Sequence, residues 1–216
     1  MWKIFFNYSD TLFPLLVLLI LIPNIKKLGR AGIWLTIYLV LTVVILGYSN
    51  ILADRVINNS FLYHSYSIVE IATVIPLLAL FMNRVKVKDY AVISLFVIYS
   101  IVNIFLWESL MEFNSNSSSI AALIIIVYSF GYFLHLANTD AILRFQTLPS
   151  FWIVSGFLFY CVVTVLVTAS YKYSDWFSSQ NITWKIQQVA NIIRFVLISI
   201  GILCSRRQTY RDGLSL

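Results

Sequence analysis

The sequence is poor in charge: Asp, Glu, Lys and Arg supply 11% of its 216 residues, against 60% hydrophobic residues. Soluble domains carry about 25% charged residues, so this chain lacks the polar side chains to cover a water-facing surface. Cysteine is scarce as well. Cys161 and Cys204 are its 2 cysteines, and both fall inside apolar runs, which argues against a disulfide framework or a thiolate metal site. The 2 histidines, His64 and His135, sit near opposite ends of their runs. That is too few for a histidine-rich zinc site of the ceramidase type. No metal and no cofactor are implied.

Other absences narrow the field further. Midway along the last apolar run, where a retinal protein would carry its Schiff-base lysine, stands Arg194. Every aspartate (Asp10, Asp54, Asp89, Asp140, Asp175 and Asp212) falls in an expected loop or tail, which speaks against enzymes of the lysoplasmalogenase kind that use intramembrane aspartates. The Pro-Gln pair that marks small seven-helix sugar and amino-acid transporters is missing.

What the chain has instead is length of hydrophobic run, with a mean hydropathy of +0.87. Stretches able to span a bilayer run over about 11–25, 31–50, 61–82, 90–108, 119–138, 151–171 and 183–204. Seven spans of about 20 residues use roughly 140 positions, which leaves short loops and no soluble domain. The expectation is all-α: a single transmembrane domain over 1–216, built as a polytopic seven-helix bundle. Pro23, Asn24, Lys26 and Lys27 end the first run without a small-residue cleavage site, so it reads as an uncleaved helix rather than a signal peptide.

The formal charge of +6 does not point to nucleic acid, because the basic residues sit in short loops beside apolar spans, where they meet lipid head groups and set orientation. One set of alternate loops plus the tail holds Lys26, Lys27, Arg30, Arg84, Lys86, Lys88, Arg144, Arg206, Arg207 and Arg211; the other side holds Lys3, Arg55, Lys172 and Lys185. That asymmetry predicts an N-terminus outside and a cytoplasmic C-terminus, which needs an odd number of spans.

Polar side chains inside hydrocarbon are costly and turn toward the bundle interior. On the seventh span Trp184, Gln187, Asn191 and Arg194 follow spacings of one helix face, and Gly201 continues it. The third span supplies Glu70, with Tyr63 and Tyr66 on its face and His64 beside them at the outer rim. Glu70 and Arg194 each lie about ten residues from the outer end, roughly 15 Å deep, and are expected to face each other. Asn103 on the fourth span, with Tyr99 and Trp107, reaches similar depth; so does Tyr160 on the sixth, with Gly156, Thr164 and Thr168. The fifth span adds Tyr128, Tyr132 and His135. A polar cavity open to the outside is the expectation; a charge clamp that only locks helix three to helix seven is the other reading. Pro76, just below Glu70, is expected to kink its helix.

Leu62-Tyr63-His64 with Tyr66 and Glu70, Phe113-Asn114-Ser115, Pro149-Ser150-Phe151-Trp152 with Gly156 and Tyr160, and Asn191, Gly201 and a basic tail form a familiar set. The pattern resembles a group of small seven-helix membrane proteins common in Bacteroidota. That resemblance implies an architecture and an inner-membrane setting, not an activity. From the residues themselves the expected function is a receptor- or sensor-like protein. It would bind a small anionic or zwitterionic ligand through Glu70, Arg194, Asn191, Asn103, Tyr66, Tyr160, Gln187 and His64, and would signal through a cytoplasmic or membrane partner. A small-solute transporter would use the same cavity, and a lipid-acting enzyme would use Glu70 with His64 as its acid/base pair.

Overall fold

The structure is a computed structural model that describes residues 2–83, 85–139, 145–173 and 180–214, with side chains for 8–83, 85–139, 145–168 and 184–205. Arg84, Asp140, Arg144 and Asp175 lie outside the described residues, as do the side chains of Lys3, Tyr171, Lys172 and the basic tail. The elements are α1 (Trp2–Leu21), a 3-10 segment (Ile22–Leu28), α2 (Gly29–Asp54), α3 (Ser60–Phe81), α4 (Val87–Leu106), α5 (Asn116–Ala137), α6 (Pro149–Tyr173) and α7 (Gln180–Leu214). No strand occurs among the described residues. Six helical stretches of the described chain are long and apolar enough to cross a membrane, the first of them Tyr8–Asp54. The protein is an all-helical membrane protein.

Chain chemistry fixes the breaks. Pro23 lies in the first turn of the 3-10 segment, and Gly29 ends that segment at φ 55° and ψ −133°, a conformation that only glycine adopts without strain. The reversal is tight. Asn50 near the end of α2 donates to Asp10 Oδ1 and Thr11 Oγ1 near the start of α1, both at 2.9 Å, so the two helices run antiparallel. Asp89 Oδ2 takes the Lys86 N–H at 2.7 Å and Asp89 Oδ1 takes the Tyr128 hydroxyl at 2.8 Å, which caps α4 and ties it to α5. Pro149 opens α6, where its missing N–H costs nothing.

Neighbouring helices form a closed ring in the order α1, α2, α3, α5, α6, α7 and back to α1, with α4 outside it against α3 and α5. Buried residues make up 67% of the α3 span but 22% of the α4 span, so α3 is the central wall and α4 is the peripheral one. On one half of the bundle the ring is filled by an apolar plug: Leu35, Leu39, Ile71, Val74, Ile75, Phe157 and Ile198 have no exposed surface. The outward faces are apolar as well, with Leu16, Leu19, Leu95, Ile98, Phe105, Val127 and Leu134 exposed, as suits side chains in contact with lipid tails. α3 runs through Pro76 as one helix. Cys161 is buried, Cys204 is half-buried and both are free.

α1 departs from the expected span. It begins nine residues earlier than the apolar run, because its polar residues have partners: Ser9 Oγ donates to Gln188 Oε1 at 2.7 Å, and Asp10 accepts from Asn50. Asp10 is thus a buried helical residue and not a loop one.

α6 and α7 meet at two glycines. A Cβ on Gly201 would stand 2.7 Å from the Pro149 carbonyl oxygen, and one on Gly156 would stand 2.9 Å from that of Arg194. Gly47 has room, its nearest neighbour being Thr11 Cγ2 at 3.4 Å. Gly201→Ala is therefore expected to destabilise the protein by about 1–3 kcal/mol through overpacking. Gly47→Ala should leave stability unchanged or raise it by up to about 1 kcal/mol. Thermal unfolding of the two variants in detergent compares them directly.

Candidate functional site

Arg194 is buried to 1% exposure on α7, in the polar half of the ring opposite the apolar plug. Its Nη1 donates to Glu70 Oε1 at 2.9 Å, across the ring from α3. Nη2 donates to Tyr66 Oη at 3.4 Å and to Asn191 Oδ1 one turn back on α7. Tyr66 donates in turn to Glu70 Oε1 at 3.3 Å, and its hydroxyl meets that of Tyr38 on α2 at 3.1 Å. Below the guanidinium plane lies Tyr160 of α6, with Arg194 Cζ 3.7 Å from the ring centroid. Four helices of the ring therefore converge on one side chain. An arginine left against lipid at that depth costs about 2.5–3.5 kcal/mol even on the lenient insertion scale, so each contact offsets a penalty that the helix would otherwise carry.

The pairing does not consume the site's chemistry. Both hydrogen bonds to Glu70 fall on Oε1, and Arg194 Nε has no partner although it is buried. A cavity of about 420 Å³ stands beside the pair, with Asp10, Tyr66, Gln187 and Gln188 among its wall residues as well as Glu70 and Arg194. Asn191, Tyr160 and Thr164 also line it. Gln187 Nε2 donates to Thr164 Oγ1 at 2.8 Å and holds α6 and α7 together at the cavity wall. Its walls are mostly apolar, with both signs of charge and an aromatic face among them. It suits a small molecule that carries hydrogen-bonding ends.

Of the eight residues singled out in the sequence, the structure gathers Glu70, Arg194, Asn191, Tyr66, Tyr160 and Gln187 around this cavity. Asn103 goes elsewhere. Its Nδ2 donates to Glu108 Oε2 at 3.0 Å and to Ser117 Oγ at 3.2 Å. Glu108 in turn caps α5, accepting from the Ser115 hydroxyl and from the Ser115 and Asn116 backbone N–H groups. The cluster is a helix-capping knot under α4, the outer helix. His64 lines no part of the cavity either. It is buried, with Nε2 3.4 Å from the Glu112 carbonyl oxygen in the α4–α5 connection and Nδ1 unpartnered.

Asp10, Tyr38, Asn114 and Gln188 were missed as members of the site. Asp10 and Asn114 read as loop residues in sequence, and Gln188 sits one position from the recognised face of α7. For Gln188 a signal did exist: a second polar residue beside Gln187 widens the stripe toward α1. Asn114 is fastened by its Nδ2 to Tyr63 O at 3.0 Å and Ser67 Oγ at 2.7 Å, and its Oδ1 is left without a partner. Among the described residues no group of three or more His, Cys, Asp or Glu side chains stands together as a metal site. Comparison of the chain with protein-family models, with curated proteins and with solved structures finds no match.

The ion pair makes a signed prediction. Glu70→Gln and Arg194→Gln should each destabilise the protein by about 3–5 kcal/mol, because each leaves one buried charge uncompensated. The double variant Glu70→Gln/Arg194→Gln should regain more than half of the larger single loss. Unfolding of all three in bicelles reads this directly, and additive losses would show that charge pairing is not what the two residues supply.

Proposed function

We infer that the chain crosses the membrane seven times with its N-terminus outside, and acts there as a receptor- or sensor-like protein for a small zwitterionic or anionic ligand. Support for seven passes comes from the Tyr8–Asp54 stretch, whose 47 residues are about twice what one crossing needs. That stretch also reverses at Gly29, so its two arms lie antiparallel. Lys26, Lys27, Arg30, Lys86 and Lys88 all belong to the end of the bundle at that reversal. The positive-inside rule favours that end as cytoplasmic. The resemblance to the Bacteroidota group carries the assignment to a bacterial inner membrane.

The observation that carries the functional reading is Arg194 itself: a buried guanidinium, ion-paired to Glu70, that lines a cavity of about 420 Å³. An anionic group of the ligand meets Arg194, and Glu70 and Asp10 balance a cationic part. With two carboxylates against one guanidinium on the wall, a zwitterion is favoured over a plain anion. The apolar plug below the pair favours a receptor over a transporter, which has to open that half inward. An acid/base pair of Glu70 with His64 is disfavoured, because His64 faces the α4–α5 connection. A signal passes through the membrane helices to a partner at the basic inner face.

Two experiments test this. A panel of small zwitterions and anions screened by thermal shift in detergent should contain a compound that stabilises the wild type, by about 2.7 kcal/mol at a hundredfold excess over Kd. The same compound should lose its effect on Glu70→Gln/Arg194→Gln; a panel with no Arg194-dependent binder would sink the ligand reading. For topology, cysteines placed at Val56 and Val87, which are 94% and 86% exposed, should label with impermeant reagent from outside and inside respectively. Equal labelling of both from one side would overturn the seven-pass arrangement.

A further inference from the structure

A second hollow of about 300 Å³ opens at the end of the bundle where α2 gives way to α3, and its wall includes Tyr8, Asn50, Asp54, Tyr63, Phe113 and Trp184. It adjoins the deeper cavity: Tyr63, Phe113, Asn114 and Trp184 line both. The route inward thus passes four aromatic rings, from Tyr8 to Trp184, and three carboxylates in succession, Asp54, then Asp10, then Glu70. Arg194 is the sole cation that lines either hollow among the described residues, against the three acidic side chains Asp54, Asp10 and Glu70. Arg55 and Lys185 stand at the same end and line neither.

Asn114 is independent evidence that something polar occupies the junction. It is 3% exposed, and its Nδ2 is committed to a backbone carbonyl, Tyr63 O, which fixes the amide's orientation. Its Oδ1 therefore remains as a buried acceptor with no donor among the described residues. A buried acceptor without a partner costs about 1–3 kcal/mol, and a donor-bearing cation at the junction satisfies it. The N-terminus of α3 opens on the same end with only about half an elementary charge, and Asn58 Oδ1 already accepts the Ser60 N–H at 2.8 Å. Asp54 and Asp10 set two acidic side chains against it.

We propose that this vestibule is an ammonium-binding subsite, so that the ligand of the deeper cavity is an organic ammonium zwitterion held with its anion toward Arg194 and its cation among Phe113, Trp184, Tyr63 and Asp54. Aromatic faces attract alkylated ammonium groups that hydrogen bonds alone hold poorly, and the carboxylates supply the net charge. The inference rests on the reading of the deeper cavity for the ligand's anionic end, and the vestibule's preference for a cation is its own addition.

The test uses the full chain in detergent with two probes that carry N–H donors, trimethylammonium chloride and 6-aminohexanoate, against sodium chloride at equal ionic strength. Trimethylammonium should bind the wild type saturably by calorimetry and should still bind Glu70→Gln/Arg194→Gln, whereas 6-aminohexanoate should lose that variant. Asp54→Asn and Phe113→Leu should each weaken trimethylammonium by roughly fivefold or more; Phe113→Leu keeps the apolar volume and removes only the π face. If trimethylammonium does not bind, or binds Asp54→Asn and Phe113→Leu as it binds the wild type, the subsite is overturned. An Arg194-dependent zwitterion found alongside that outcome leaves the cavity reading standing. Trimethylammonium binding that depends on Asp54 and Phe113, with no Arg194-dependent zwitterion, supports the subsite and removes the cavity reading.

Discussion

A guanidinium inside a hydrocarbon-facing bundle has to be surrounded by partners, and that requirement organises this protein. Arg194 draws on α3 through Glu70 and Tyr66, on α2 through Tyr38, whose hydroxyl meets that of Tyr66, on α6 through the Tyr160 ring and on its own helix through Asn191. α3 and α7 face each other across the ring, where helix backbones do not touch. Long side chains bridge the gap instead, and space beside the bridge is the natural result. Cavity and ion pair therefore have one cause: a ring of six helices is too wide for its middle to be filled by side chains at every level. In the apolar half Ile71, Val74, Ile75 and Phe157 suffice to fill it. In the polar half a single charged bridge spans the opening, and the remaining volume stays open.

The glycines set the complementary limit. Gly156 and Gly201 let α6 and α7 approach closely, which brings Tyr160 under Arg194 at ring-stacking distance. α6 and α7 thus form one stiff unit with the guanidinium as its inner edge, while α3 presents the carboxylate from the opposite wall. The Arg194–Glu70 contact is therefore what joins that unit to α3 across the ring.

The spans were legible because hydropathy is a sum over about 20 residues and tolerates local irregularity. Glu70 and Arg194 were legible as neighbours because depth in a bilayer is a ruler: two residues at equal distance from one interface share a plane before any contact is known. Asn103 shows where the ruler fails. It has the right depth, but α4 lies outside the ring, and Glu108 folds back to claim its amide; depth says nothing about angular position. α1 failed for the opposite reason. Its polar first turns read as loop, and the residues that neutralise them, Asn50 and Gln188, lie about 40 and 180 positions away, beyond the reach of any local pattern.

The ion pair joins residues 124 positions apart, and that separation has a meaning in time as well as space. At about 5–20 residues per second of synthesis, α3 stands in the membrane for on the order of ten seconds before its basic partner exists. Glu70 has to be tolerated through that interval by whatever the early helices offer, and Tyr66, one turn away on the same helix, is at hand from the start. α7, made after the other helices of the ring, then closes it and completes the charge balance. A chain stopped short of α7 holds Glu70 without this counter-charge.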